Sequence, residues 1–154
     1  MCGILGQITF KGPVTELPQL SLLNHRGPDG NGEWTNTSGN VYFGHTRLAI
    51  LDPTPTGRQP MVDSSGRFTI TFNGEVYNHL DLRPSLPSIK WRGNSDTETL
   101  VELLAVHGLG TLSKLKGMFA FAIHDASDDS VLLVRDRLGI KPLWVRSTEK
   151  YHRF

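Results

Sequence analysis

A single cysteine in 154 residues excludes an internal disulfide framework and predicts a reducing, cytoplasmic setting. Charge of one sign is also missing. The net charge is +1, with lysine and arginine spread along the chain, so neither nucleic acid nor a membrane surface is an expected partner. No apolar run approaches the length of a bilayer span. The opening ILGQITF is broken by Lys11, Gly12 and Pro13 too early for a signal peptide. The histidines show neither H-E-x-x-H nor paired Cys/His spacing, so no metal site is expected. Repeats, heptads and low-complexity tracts are absent. Asn36-Thr37-Ser38 fits a glycosylation pattern, but with no secretory signal it reads as chance.

What is present suits one soluble globular domain with its own core: 38% hydrophobic and 20% charged residues. The residues from Cys2 to Phe10 read as a strand ended by Lys-Gly-Pro. Leu17, Leu20 and Leu23 predict a short helix over 16–23, and HRGPDGNG a loop. Further strands are expected at 41–51, before a turn at Asp52-Pro53, and at 67–72, where RFTITF alternates. Ser95 and Glu98 form a capping box that opens a helix at about 96–107, with Gly108 as its stop. A short helix over 109–116, a hairpin of MFAFAIHD and VLLVRD, and a last strand PLWV complete the pattern. Strands, then helices, then strands favour layered α+β over a doubly wound parallel sheet.

The lone cysteine stands at position 2. A thiol attacks as thiolate, and an unperturbed thiol has a pKa of about 8.5, so it needs a base. An α-amino group, with a pKa of about 7.7–8.0, can serve if Met1 is removed, giving nucleophile and base on one residue. Gly3 adds no side chain beside it. Four polar stretches would complement such a reaction. HRGPDG is a tight loop. Arg47, in the apolar stretch HTRLAILD, invites a carboxylate. Asn73 and Gly74 offer two adjacent donors for an oxyanion, with Glu75 beside them. Asp96 opens the second helix. Each has a plainer reading: a buried inert cysteine, a surface ion pair, a type I′ turn at Asn73-Gly74, and an ordinary first-turn acid. Together they supply what a glutamine molecule would require.

MCGILG, NHRGPDG, HTRLAILD, FNGEVYNH, NSDTETL, LKGMFAFAIHD and VRDRLGIKPLW, in this order, resemble the N-terminal glutaminase domain of asparagine synthetases. That domain is a class II glutamine amidotransferase within the N-terminal-nucleophile hydrolases. RGPDG is similar to that branch, whereas glucosamine-phosphate synthases resemble RGYDSAG there and phosphoribosylpyrophosphate amidotransferases RGQDAAG. The resemblance implies a four-layer αββα sandwich and hydrolysis of glutamine to glutamate and ammonia. It implies that Cys2 attacks the side-chain amide with its own α-amine as base, and that Asn73 and Gly74 form the oxyanion hole. It further implies that Arg47 clamps the α-carboxylate, that Leu48, Ala49, Ile50 and Leu51 line the pocket, and that Glu75 and Asp96 hold the α-ammonium.

The chain departs from the pattern in two places. It contains neither SGGxDS nor a Walker-type loop, so ATP and magnesium are expected only in a separate synthetase domain or subunit that would receive the ammonia. After PLWV the family continues with a segment resembling FASEIKAL, whereas this chain ends VRSTEKYHRF. The expectation is a glutaminase domain at 2–146, a polar tail at 147–154 and a fold incomplete at its C-terminus, with a sheet edge left open. The alternative is a catalytically silent fragment or a regulatory or binding module.

Overall fold

The computed structural model describes residues 2–154. Among the described residues, nine strands form two antiparallel sheets. The first, in the order β2-β3-β1-β9-β8, contains β1 (Gly3–Thr9), β2 (Gly30–Thr35), β3 (Val41–Arg47), β8 (Arg146–Ser147) and β9 (Tyr151–Arg153). The second, in the order β4-β5-β6-β7, contains β4 (Met61–Val62), β5 (Phe68–Val76), β6 (Gly117–Asp125) and β7 (Ser130–Arg135). Two α-helices, α1 (His79–Leu82) and α2 (Asp96–His107), and several short 3-10 segments complete a mixed α/β fold with few helices.

Alternation along the strands builds three apolar clusters. On β5 and β6, Ile70, Phe72, Val76, Phe119, Phe121 and Ile123 meet Leu100, Val101 and Leu104 of α2. The opposite faces of these strands carry smaller groups. Ala122 packs with Val41 and Phe43 of β3 between the sheets, and Thr71 donates to the Gly44 carbonyl across the gap. On the outer side of the first sheet, Leu5 and Tyr42 are covered by Leu20 and Leu23 of a 3-10 segment, Leu20–Arg26. The first sheet packs apolar residues on both faces, whereas the inter-sheet face of β5 carries Thr69, Thr71, Asn73 and Glu75.

The first strand, the α2 helix and the β6–β7 hairpin match their expected positions. Ser95 caps α2 by accepting from the Glu98 N–H at 3.1 Å, and Gly108 ends it with φ +67°. The return half of the capping box is absent. Glu98 accepts instead from the N–H groups of Arg92 (2.8 Å) and Gly93 (3.0 Å), because the segment before the helix folds back over its first turn. The helix expected at 16–23 is the 3-10 segment at 20–26. The strand expected at 41–51 stops at Arg47, and 67–72 extends to Val76, so Asn73 and Gly74 lie within β5 rather than in a turn. PLWV forms no strand. Asn36 is buried, and its amide donates to Ser38 (2.8 Å) and Asp129 (2.7 Å), ties that hold two turns together.

The expected polar tail at 147–154 needs the largest correction. β9 pairs along β1, from Gln7↔Arg153 to Thr9↔Tyr151, and covers the edge expected to lie open. Phe154 exchanges two backbone hydrogen bonds with Gly6, and its ring packs 5.8 Å from that of Phe43 in the inter-sheet cluster. One partly buried aromatic ring and a backbone ladder fix a segment whose other side chains are mostly polar.

Candidate active site

The side chains on the inner face of β3 run Val41, Phe43, His45, Arg47, from the inter-sheet core to its end. There a cleft of about 90 Å³ opens. The chain leaves the sheet after Arg47 because its backbone groups find other partners. The Arg47 carbonyl accepts from Asp29 N–H at 2.9 Å. Leu48 N–H points at the Cys2 sulfur, 3.3 Å away, and Ala49 N–H donates to the Asp29 carboxylate at 2.8 Å. Arg26 Nε donates to the Cys2 carbonyl at 3.1 Å. The HRGPDG loop thus braces the cysteine and the segment beside it. Gly27 permits this because a Cβ there would lie 2.4 Å from the Thr46 carbonyl.

The opposite wall of the cleft is β5. Asn73 faces the inter-sheet side, is 5% exposed, and its amide makes no hydrogen bond within the described chain. The neighbouring N–H groups show why position 74 is distinctive. Phe119 lies opposite Gly74, and both its backbone groups bond Asp136 (3.1 and 2.8 Å) rather than β5. In an antiparallel pair the facing residues bond together or not at all, so the Gly74 N–H points out of the β5–β6 ladder. The N–H groups of Phe72 and Val76 point the same way. The Gln59 side chain takes the first at 2.7 Å and the Asp96 carboxylate takes the last at 2.8 Å. Gly74 N–H lies between them, unclaimed among the described residues, next to the Asn73 amide.

The charged groups are arranged by sign. The Arg47 guanidinium donates to the carbonyls of Thr54 (2.9 Å) and Asp52. Asp96 and Glu75 supply negative charge. Burial pushes the Asp96 carboxyl up to about 6, and the Glu75 charge adds to this, while the N–H groups of Val76 and Thr97 pull the other way. A cation bound beside these two carboxylates would relieve that cost. His45 is 1% exposed, and burial and the Arg47 charge hold its imidazole down at about 4 against an opposing pull from the Phe72 backbone.

The cleft gathers Cys2, Arg47, Leu48, Ile50, Leu51, Asn73, Gly74, Glu75 and Asp96 of the expected residues. Ala49 is not among the lining residues. Asp52, Gln59, Thr97, Lys141 and His45 line the cleft without having been anticipated. His45 was legible, two residues before Arg47 on the same strand face. Gln59 was not, since its role depends on a strand edge that only folding brings to it. Among the described residues no cluster of three or more His, Cys, Asp or Glu could hold a metal ion, and no helix is long and apolar enough to cross a membrane. Met1, whose removal the Cys2 chemistry requires, lies outside the described residues.

Residues 1–154 match the family model described as "Glutamine amidotransferase domain". Similar curated proteins include asparagine synthetase [glutamine-hydrolyzing] 3 of Arabidopsis thaliana, 39% identical over 150 residues covering 94% of this chain and 25% of the relative. The asparagine synthetase [glutamine-hydrolyzing] of Sandersonia aurantiaca is 37% identical over 94% of this chain and 28% of its own length. The protein named amidase chry2 of Gibberella zeae is 38% identical over 159 residues, 94% of this chain and 24% of its own. The chain spans about a quarter of the length of these relatives. With a family match running its whole length, this chain belongs to the glutamine amidotransferase domain family.

Proposed function

We propose that the chain hydrolyses the side-chain amide of glutamine to glutamate and ammonia through Cys2. The observation that carries this reading is the pair of unclaimed donors, the Asn73 amide and Gly74 N–H, in the same cleft as the only cysteine. With Met1 removed, the α-amine of residue 2 takes the thiol proton, and the sulfur attacks the amide carbon. The oxygen becomes an oxyanion bonded by Asn73 and Gly74. The amine then passes its proton to the departing ammonia, leaving a glutamyl thioester. Water, deprotonated by the same amine, cleaves the thioester and restores the thiol. Leu48 N–H, 3.3 Å from the sulfur, is placed to hydrogen-bond the thiolate.

Arg47 holds the substrate α-carboxylate, and Glu75 and Asp96 hold the α-ammonium. The layering of α2, two sheets and the outer 3-10 segment supports the four-layer αββα sandwich of N-terminal-nucleophile hydrolases. The ammonia passes to a synthetase domain or subunit of the asparagine synthetase kind, as the names of the relatives suggest. The test is release of ammonia and glutamate from glutamine by purified chain whose intact mass shows that Met1 is gone. Hydrolysis by chain that still carries Met1 would overturn the N-terminal mechanism.

Two further expectations follow from the binding groups. Arg47→Ala should raise KM for glutamine by roughly 10- to 100-fold with kcat within a few-fold, the loss of a charge-assisted clamp worth about 1.5–3 kcal/mol. Unchanged saturation kinetics would remove Arg47 from the clamp. The pH dependence should centre on Asp96. Below about pH 6 its carboxylate gains a proton, so KM for glutamine should climb as pH falls. Folding should respond in the opposite direction. A carboxyl whose folded pKa lies above its unfolded value binds protons more tightly when folded, so its stability contribution is full below about pH 4 and is lost as pH rises through about 6. Asp96→Asn should flatten both trends, seen by comparing KM and melting temperature with wild type from pH 4.5 to 7.5. An Asp96→Asn variant with the wild-type slope in KM would exclude this group.

A further inference from the structure

Asp52 carries no role in the proposed chemistry, yet it is 6% exposed, lines the cleft, and its carboxylate accepts from Thr54, Thr56 and Asn94. Its Oδ1 accepts from the Thr54 N–H (3.1 Å) and hydroxyl (2.6 Å). Its Oδ2 accepts from the Thr56 hydroxyl (2.9 Å) and the Asn94 N–H (3.0 Å). Its own carbonyl accepts from Arg47 Nη2, while the Thr54 carbonyl accepts from Nη1. One residue therefore fixes the guanidinium of Arg47 from below and grips the backbone two residues before Asp96. Arg47 ends a strand of one sheet, and Asp96 opens the helix packed on the other, so no regular hydrogen-bond ladder sets the distance between them.

We propose that Asp52 is a positioning residue that fixes the Arg47 clamp relative to the Asp96 carboxylate, so that selection of an α-amino acid amide over amides lacking one α-substituent depends on it. The inference rests on the reading of Arg47 and Asp96 as binders of the α-carboxylate and α-ammonium. The physical basis is geometric. A ligand that engages both groups feels a change in their separation, whereas one that engages a single group follows it without loss. Burial opposes ionisation of Asp52, but the bonds from Thr54, Asn94 and Thr56 outweigh it and hold its carboxyl at about 2, so it accepts as a carboxylate throughout any practical assay range. An amide at this position is isosteric but can accept at only one of the two oxygen sites.

The experiment compares three substrates: glutamine, glutaramate lacking the α-amine, and 4-aminobutanamide lacking the α-carboxylate. Hydrolysis of each is measured with wild type, Asp52→Asn, Thr56→Val and Arg47→Ala, alongside thermal unfolding. Asp52→Asn should lower kcat/KM for glutamine by about 30-fold, chiefly through KM, and lower that of either analogue by no more than about threefold. Thr56→Val removes one donor from an exposed side chain and should reproduce the pattern at a smaller scale, roughly three- to fivefold for glutamine alone. If Asp52→Asn does not fold, the Thr56→Val comparison decides. An equal loss for all three amides would mark Asp52 as a general structural residue and overturn the inference. A raised KM in Arg47→Ala with glutamine KM unchanged in Asp52→Asn would overturn this inference alone. Wild type that treats the three amides alike would overturn the underlying site reading together with it.

Discussion

Cys2→Ala is expected to lower glutamine hydrolysis on the order of 10⁴-fold or more while leaving glutamine binding within about threefold of wild type. The size follows from the role. In the proposed mechanism the sulfur forms the covalent intermediate, and no other described nucleophile in the cleft has a base on the same residue. Binding should survive because, in the proposed reading, the substrate's α-groups are held by Arg47, Glu75 and Asp96, which line the same cleft as the sulfur. Removing Sγ takes one acceptor from Leu48 N–H at 3.3 Å, a weak bond at a partly buried site, so the wall of the cleft should persist. Hydrolysis measured by glutamate formation, and binding measured by calorimetry, separate the two quantities. Activity that survives the substitution would end the proposal that this chain is an N-terminal-cysteine hydrolase.

Asn73→Ala should cut kcat by about 10²–10³-fold, equivalent to about 2.7–4 kcal/mol, with KM shifting by no more than about threefold. The asymmetry comes from when the bond is made. The amide carbonyl of bound substrate carries little charge, and the oxygen demands its donors only as the tetrahedral intermediate forms. The loss should be partial because Gly74 N–H remains, held in place by the strand pairing rather than by the Asn73 side chain. The companion substitution Gly74→Ala would not isolate the backbone donor, since a Cβ there would lie 2.2 Å from the Met118 carbonyl and disturb the β5–β6 pairing itself. A rise in KM that matches the whole loss in kcat/KM would move Asn73 from the oxyanion hole to ordinary substrate binding.

Spacing and residue chemistry alone marked Cys2, Arg47, Asn73, Gly74, Glu75 and Asp96 as candidates, because each belongs to a short local stretch, and the fold brings them to one cleft. The same locality made α2 and the β6–β7 hairpin legible through apolar period and turn residues. Tertiary structure decided what depends on partners far along the chain. Asn73-Gly74 reads as a turn until β6 pairs alongside it. The Gly74 N–H is unclaimed among the described residues, since its facing residue Phe119 bonds Asp136, while Gln59 and Asp96 take the outward N–H groups of Phe72 and Val76. Residues 151–154 look polar until β1 offers an unpaired edge and the inter-sheet core a place for the Phe154 ring. Asp52 reads as a turn former until the loop before α2 brings Asn94 within 3.0 Å. Sequence records which groups a residue carries, but a hydrogen bond is satisfied or left open only by whatever the fold sets beside it.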